Sequence, residues 1–163
     1  MTRDEGHDAI TGQVFEALTL HFLLKRHELG SPDPVEALAR IRIMGMLVDH
    51  LYLELAKLGE RKRDSCNFEQ ALRQLPDHRT EQYKSLRGRI DEYRCLIDAL
   101  LEHRNKRIAH RAKAPWSDLR PPVEAPAALH PAVDLVDELT GKRNDYFFVD
   151  VDLRSSILDQ HAA

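Results

Sequence analysis

Cysteine is nearly absent: the 163 residues hold two, Cys66 and Cys95, which form neither a CxxC pair nor a disulfide framework. Residues Met1–Glu5 carry no basic-then-apolar export signal, so a reducing cytoplasm is the expected compartment. Glycine is scarce, at seven, and none lies in a Gly-rich loop of the P-loop or dinucleotide-binding kind. Those cofactor classes therefore lack their cradle. HExxH and Cys/His quartets are missing as well, so no metal and no cofactor are expected. Long apolar runs do not occur. The most apolar stretch, Val14 to Leu24, is broken by Glu16, Thr19 and His21, and nothing approaches the ~18 residues of a membrane span.

What is present suits a folded protein, with 42% hydrophobic and 31% charged residues. At ~100–200 residues per domain the chain reads as a single domain, 1–163. The net charge of -3 conceals a segregation along the chain. Residues 1–72 carry 9 Lys/Arg against 12 Asp/Glu, residues 73–113 carry 11 against 6, and residues 114–163 carry 4 against 9. Within His103–Lys113 there are five Lys/Arg and no acid. Such a run is either a solvated helix end or a seat for a polyanion.

Apolar spacing predicts helices throughout. From about His7 to Leu29, the residues Ile10, Val14, Phe15, Leu18, Phe22, Leu23 and Leu29 recur at helical intervals, and Gly30 suits the position beyond the end. Asp33 as cap, Pro34 in the first turn and Glu36 three residues after the cap open a second helix. Val35, Leu38, Ile41, Leu47, Val48, Leu51, Leu55 and Leu58 carry it to Gly59, a length of roughly 37 Å. Residues Glu60–Asp64 read as a turn, and a short helix from about Asn67 to Leu75 stops before Pro76. A third long helix is expected from Thr80 to about Arg111, with Leu86, Ile90, Tyr93, Ile97 and Leu100 as its stripe.

Ala114–Pro131 contains five prolines and reads as a connector, because repeated Pro is excluded from helix interiors. A short helix then starts at Pro131 or Ala132 and ends at Thr140 before Gly141. Tyr146–Val149 favours an extended piece and Leu153–Gln160 a helix. The expected fold is all-α, an up-and-down bundle of four to five main helices with a proline-rich connector (114–131) before the C-terminal elements.

One residue breaks the pattern of the third helix. Arg104 lies four residues after Leu100 and seven after Ile97, on the same face as both. Either its methylenes lie along the core while the charge reaches water, or a cation is held in a cleft for an anion. Its neighbourhood is His103-Arg104-Asn105-Lys106-Arg107-Ile108-Ala109-His110-Arg111, with His103, Arg107 and His110 at i, i+4 and i+7. These residue types suit metal-free RNA cleavage. An imidazole moves protons near neutrality, a guanidinium matches phosphate oxygens, and an amide orients either.

The run Arg104-Asn105-Lys106-Arg107-Ile108-Ala109-His110 resembles the motif of the HEPN superfamily: an arginine followed by a polar residue, and a histidine after four to six intervening residues, here five. It is similar to HEPN proteins of the abortive-infection type in bacterial antiphage systems. The motif spans under a tenth of the chain, while the all-α layout extends the likeness to about three quarters; the proline-rich stretch is an elaboration. The resemblance implies a helical bundle that pairs as a homodimer, with two motifs forming one composite site. It implies metal-independent endoribonuclease activity leaving a 2′,3′-cyclic phosphate, in an antiphage or toxin–antitoxin module controlled by an antitoxin or regulatory protein. On this chain Arg104 would stabilise the phosphorane, His110 would act as acid or base, and Asn105 would position one of them. His103, Lys106, Arg107 and Arg111 would hold the RNA backbone. Some HEPN proteins bind without cutting. A non-catalytic module for RNA, a nucleotide or a protein partner is the alternative reading, and a purely structural bundle is the third.

Overall fold

The structure, a computed structural model, describes residues 3–26, 33–61, 66–76, 80–111 and 125–158, with side chains described for these except at 3, 103–111, 125, 126, 156 and 158. Its elements in chain order are α1 (Arg3–Arg26), α2 (Pro34–Gly59), α3 (Phe68–Arg73), α4 (Glu81–Arg111), α5 (Ala125–Thr140), β1 (Phe147–Phe148), β2 (Val151–Asp152) and α6 (Leu153–Leu158). The all-α reading holds, with α1, α2, α4 and α5 as the long members of the bundle. The antiparallel β1–β2 ladder sets Phe147 opposite Asp152 and Phe148 opposite Val151.

Local chemistry places the ends. Asp33 Oδ1 accepts from the Val35 amide at 2.9 Å, with Pro34 in the first turn of α2 where an amide donor has no partner to lose. Asn67 Oδ1 accepts from the Gln70 amide at 2.9 Å and opens α3. Thr80 Oγ1 accepts from the Tyr83 amide at 3.2 Å and opens α4. Gly141, at φ 70, takes the left-handed conformation that ends α5, as its position predicts. At the tip of the hairpin Val149 also has a positive φ, 57, which is uncommon for a β-branched residue. Gly30 lies outside the described residues.

The core joins α1, α2, α4 and α5, with α3 and α6 closing its ends. The α4 stripe is as read: Leu86, Ile90, Tyr93, Ile97 and Leu100 are all buried. Other expectations need correction. α1 begins at Arg3 rather than His7, and its buried line runs Ile10, Val14, Ala17, His21, Leu24, leaving Leu23 exposed. A small residue and a polar one hold the central positions there, which disguises the phase. In α2, Val48, Leu51, Leu55 and Leu58 are buried as expected, but Val35 and Leu38 face outward.

The connector is shorter than 114–131, because α5 already begins at Ala125 and includes Pro126 and Pro131. Pro126 is the second helical residue, where its missing N–H has no intrahelical acceptor. Pro131 is interior and deprives the Ala127 carbonyl of its donor, but Ala127 is exposed to water. Burial of Ala128, Leu129, Ala132, Val133, Leu135, Val136 and Leu139 holds the helix together in spite of it. Residues 112–124 lie outside the described residues.

Candidate nucleic-acid interface on helix α4

α4 is fastened to the bundle at its middle. The Tyr93 hydroxyl donates to the Leu55 carbonyl at 2.7 Å, and its ring meets Phe68 edge-on at 5.2 Å. Next to it Arg94 uses its whole guanidinium. Nε donates to the Gly59 carbonyl at 2.9 Å, one terminal nitrogen to Asp91 Oδ1 at 2.7 Å, and the other to Glu69 Oε2 at 2.8 Å. Glu69 also accepts from Arg87 at 2.6 Å and from Arg73 Nε at 3.3 Å. Glu69 and Arg94 are 5% and 7% exposed, so this is an ion pair of the interior. Burial by itself would raise the Glu69 carboxyl, but the hydrogen bonds and charges of Arg94 and Arg87 outweigh it and hold the group at about 2. A Cβ at Gly59 would stand 3.4 Å from the Tyr93 ring, an ordinary van der Waals contact, so α2 and α4 are close there without glycine being demanded.

From this anchor the buried stripe runs to Leu100, Leu101 is partly buried, and Glu102 is exposed. The helix continues to Arg111. His103, Arg104, Asn105, Lys106, Arg107, His110 and Arg111 therefore all belong to one continuous helical backbone, in the register that their spacing predicts. Their side chains lie outside the described residues, and so do the convergence of Arg104 with His110 and any meeting of two motifs.

Two polar features went unread in the sequence. The first is the Glu69–Arg94–Arg87 knot, although Arg94 lies four residues after Ile90 and three before Ile97, the same kind of break in the stripe as Arg104. The second is His21, 5% exposed on the inner face of α1, with its Nδ1 and the nearby Thr19 hydroxyl both buried without a partner. Desolvation first, then the charges of Lys25 and His130, lower the His21 imidazole to about 4, so it is neutral at physiological pH. His130 on α5 in turn has Nε2 3.2 Å from the Ile157 carbonyl of α6.

A shallow cleft of about 250 Å³ between α4 and α5 is lined by Arg89, Glu92, Leu96, Pro131 and Asp134. It mixes both charge signs and lies at the level of Leu96, roughly 12 Å along the helix from Arg104. Among the described residues no group of three or more His, Cys, Asp or Glu is placed to hold a metal ion, and no helix is long and apolar enough to cross a membrane. No family model, no curated protein and no solved structure matches the chain.

Proposed function

We propose that the chain is a metal-independent endoribonuclease of the HEPN type, acting on single-stranded RNA in the cytoplasm of a bacterium as part of an antiphage or toxin–antitoxin module. The observation that carries this reading is the run from Arg104 to His110 on the long α4 helix of an all-α bundle. In this reading two copies pair and their motifs form one composite site. The 2′-hydroxyl attacks the adjacent phosphorus as its proton passes to an imidazole. The bond from phosphorus to the 5′-oxygen breaks, and that oxygen takes a proton from the second imidazole. The products are a 2′,3′-cyclic phosphate and a 5′-hydroxyl.

His110 is the proton carrier, because the imidazole group is the side chain chemically suited to taking up and giving back a proton in this step. Arg104 stabilises the charge on the pentacoordinate phosphorus, and Asn105 positions one of these two groups. His103, Lys106, Arg107 and Arg111 hold the backbone phosphates without reading bases. An antitoxin or other regulatory protein would control the activity.

The test is cleavage of labelled single-stranded RNA by the purified chain in EDTA, with mass spectrometry of the product ends. Cyclic-phosphate ends are expected. Arg104→Ala and His110→Ala should each lower the rate at least ~100-fold with an unchanged helical circular dichroism spectrum. Folded wild type that cuts no RNA at high enzyme concentration, yet binds it through Arg104, would replace this reading with that of a binding module.

A further inference from the structure

The cleft between α4 and α5 carries charge that the fold leaves unbalanced. At one end of it Arg89 of α4 pairs with Glu138 of α5. At the other end stand Leu96, seven residues after Arg89, and Pro131, seven residues before Glu138. The two helices therefore run antiparallel along this seam. Glu92 follows Arg89 by three residues and Asp134 precedes Glu138 by four, so at ~1.5 Å per residue they stand at nearly the same level on facing walls. Neither makes a hydrogen bond or ion pair with another described residue. Carboxylates set opposite each other repel. The one cation lining the cleft among the described residues, Arg89, is already engaged by Glu138.

The lining narrows what can enter. A phosphate or a carboxylate would meet two charges of its own sign. A metal ion calls for more than two ligands, and no group of three His, Cys, Asp or Glu among the described residues is placed to supply them. An organic cation fits: Leu96, Pro131 and Leu135 give its methylenes an apolar floor. At about 250 Å³ the cleft falls below the ~300–1,000 Å³ of pockets that enclose a free small ligand. It is shallow as well, so a free amine would keep much of its surface in water. A side chain carried by a polypeptide needs only its stem and head to be held. Of the two basic side chains, arginine suits facing carboxylates better. Its planar fork presents donors along two edges and is more weakly hydrated than an ammonium. Pro131 adds an acceptor nearby, because it strips the exposed Ala127 carbonyl of its helical donor.

We propose that the α4–α5 cleft is a docking site for an arginine side chain of a partner polypeptide, with the guanidinium between Glu92 and Asp134 and its stem along Leu96 and Pro131. The site shares no residue with the proposed cleavage of RNA, so binding here and cleavage there stand or fall separately.

The experiment is an NMR titration of the isotope-labelled full chain with three blocked tripeptides, acetyl-Gly-Xaa-Gly-amide, in which Xaa is arginine, lysine or norleucine. The arginine peptide should shift the amides of Glu92, Leu96, Asp134 and Leu135 and saturate at ~1–10 mM. The lysine peptide should bind at least ~3-fold more weakly, and the norleucine peptide should leave these amides unmoved. Glu92→Gln and Asp134→Asn should each weaken the arginine peptide at least ~10-fold with an unchanged helical spectrum, since both side chains are exposed. Asp150→Asn, an exposed acid of the hairpin, should leave its affinity unaltered. Three outcomes overturn the inference: no saturable shift by ~50 mM arginine peptide, affinity lost equally in Asp150→Asn and Glu92→Gln, or butylammonium binding as tightly as the arginine peptide. The last would make the cleft a site for a free amine instead.

Discussion

Glu69 accepts hydrogen bonds from three arginines and is almost wholly removed from water. A buried carboxylate of this kind is costly to strand and costly to delete, since its loss leaves Arg94 charged in the interior. Glu69→Gln is expected to lower the unfolding free energy by about 3 kcal/mol in urea titration; a loss under about 1 kcal/mol would show that Asp91 alone suffices to balance Arg94. Its pH sign follows from a folded value of about 2 against an ordinary 4.5. The stabilisation is complete above 4.5 and is lost as pH falls toward 2. His21 behaves differently. Its folded value of about 4 lies below the ordinary 6.5, so between those limits the unfolded chain binds a proton that the native imidazole refuses. Stability attributable to His21 therefore falls as pH drops from 6.5 to 4, by about 3 kcal/mol at completion. His21→Leu should flatten that part of the profile, measured as the urea midpoint at pH 7, 5 and 4 for both proteins. An unchanged slope would mean that His21 is not buried as a neutral ring. Both residues were present in the spacing but not legible from it. Arg94 interrupts the α4 stripe in the same way as Arg104, and only the folded chain brings Glu69 and the Gly59 carbonyl to it. Nothing in a linear sequence says that a histidine between Ala17 and Leu24 is enclosed rather than solvated.

At the level of elements, α5 is the instructive case. Five prolines between 114 and 131 argue for irregular chain, and the rule behind that argument is sound for each proline taken alone. Its application fails because position decides the cost. Pro126 stands in the first turn, where no hydrogen bond is forfeited, and Pro131 forfeits one whose acceptor is open to solvent. Pro131→Ala is expected to raise stability by ~1–3 kcal/mol in urea unfolding by restoring the donor to the Ala127 carbonyl, whereas Pro126→Ala should change it by under ~0.5 kcal/mol. Equal effects of the two would contradict this account. α4, by contrast, was legible in its limits, because Thr80 provides a cap and the apolar interval recurs four times, from Leu86 to Leu100, without a proline. The hairpin was only half legible. Tyr146–Val149 signals extended chain, but its partner, Val151–Asp152, is two residues long and too short to signal anything.

At the scale of the whole molecule, charge is sorted by segment. The net-positive stretch 73–113 contains the whole of α4, so the basic part of the chain is mostly one helix. Its inner arginines, Arg87 and Arg94, are consumed by Glu69 and Asp91, and the remaining basic excess lies toward residue 111. If that end holds RNA, binding must weaken with salt through release of condensed cations. Lys106→Ala is expected to reduce the slope of log affinity against log salt by about 0.7 for single-stranded RNA, in fluorescence anisotropy titrations from ~50 to ~200 mM salt. A slope unaffected by Lys106 would remove it from the phosphate contacts.

The sequence alone determined the helical class, the limits of α2 and α4, most of the inward stripe of α4, and the placing of the Arg104–His110 run on helical backbone. All of these depend on chemistry within a few residues: periodicity, caps and backbone hydrogen bonding. The tertiary structure decided which of two apolar faces α2 buries, that Arg94 is a buried ion-pair partner, that His21 is sealed in, and that α5 starts ahead of Pro131. Each of those is set by what lies across the bundle, tens of residues away, where burial removes water from a side chain and another element either supplies the missing partner or does not.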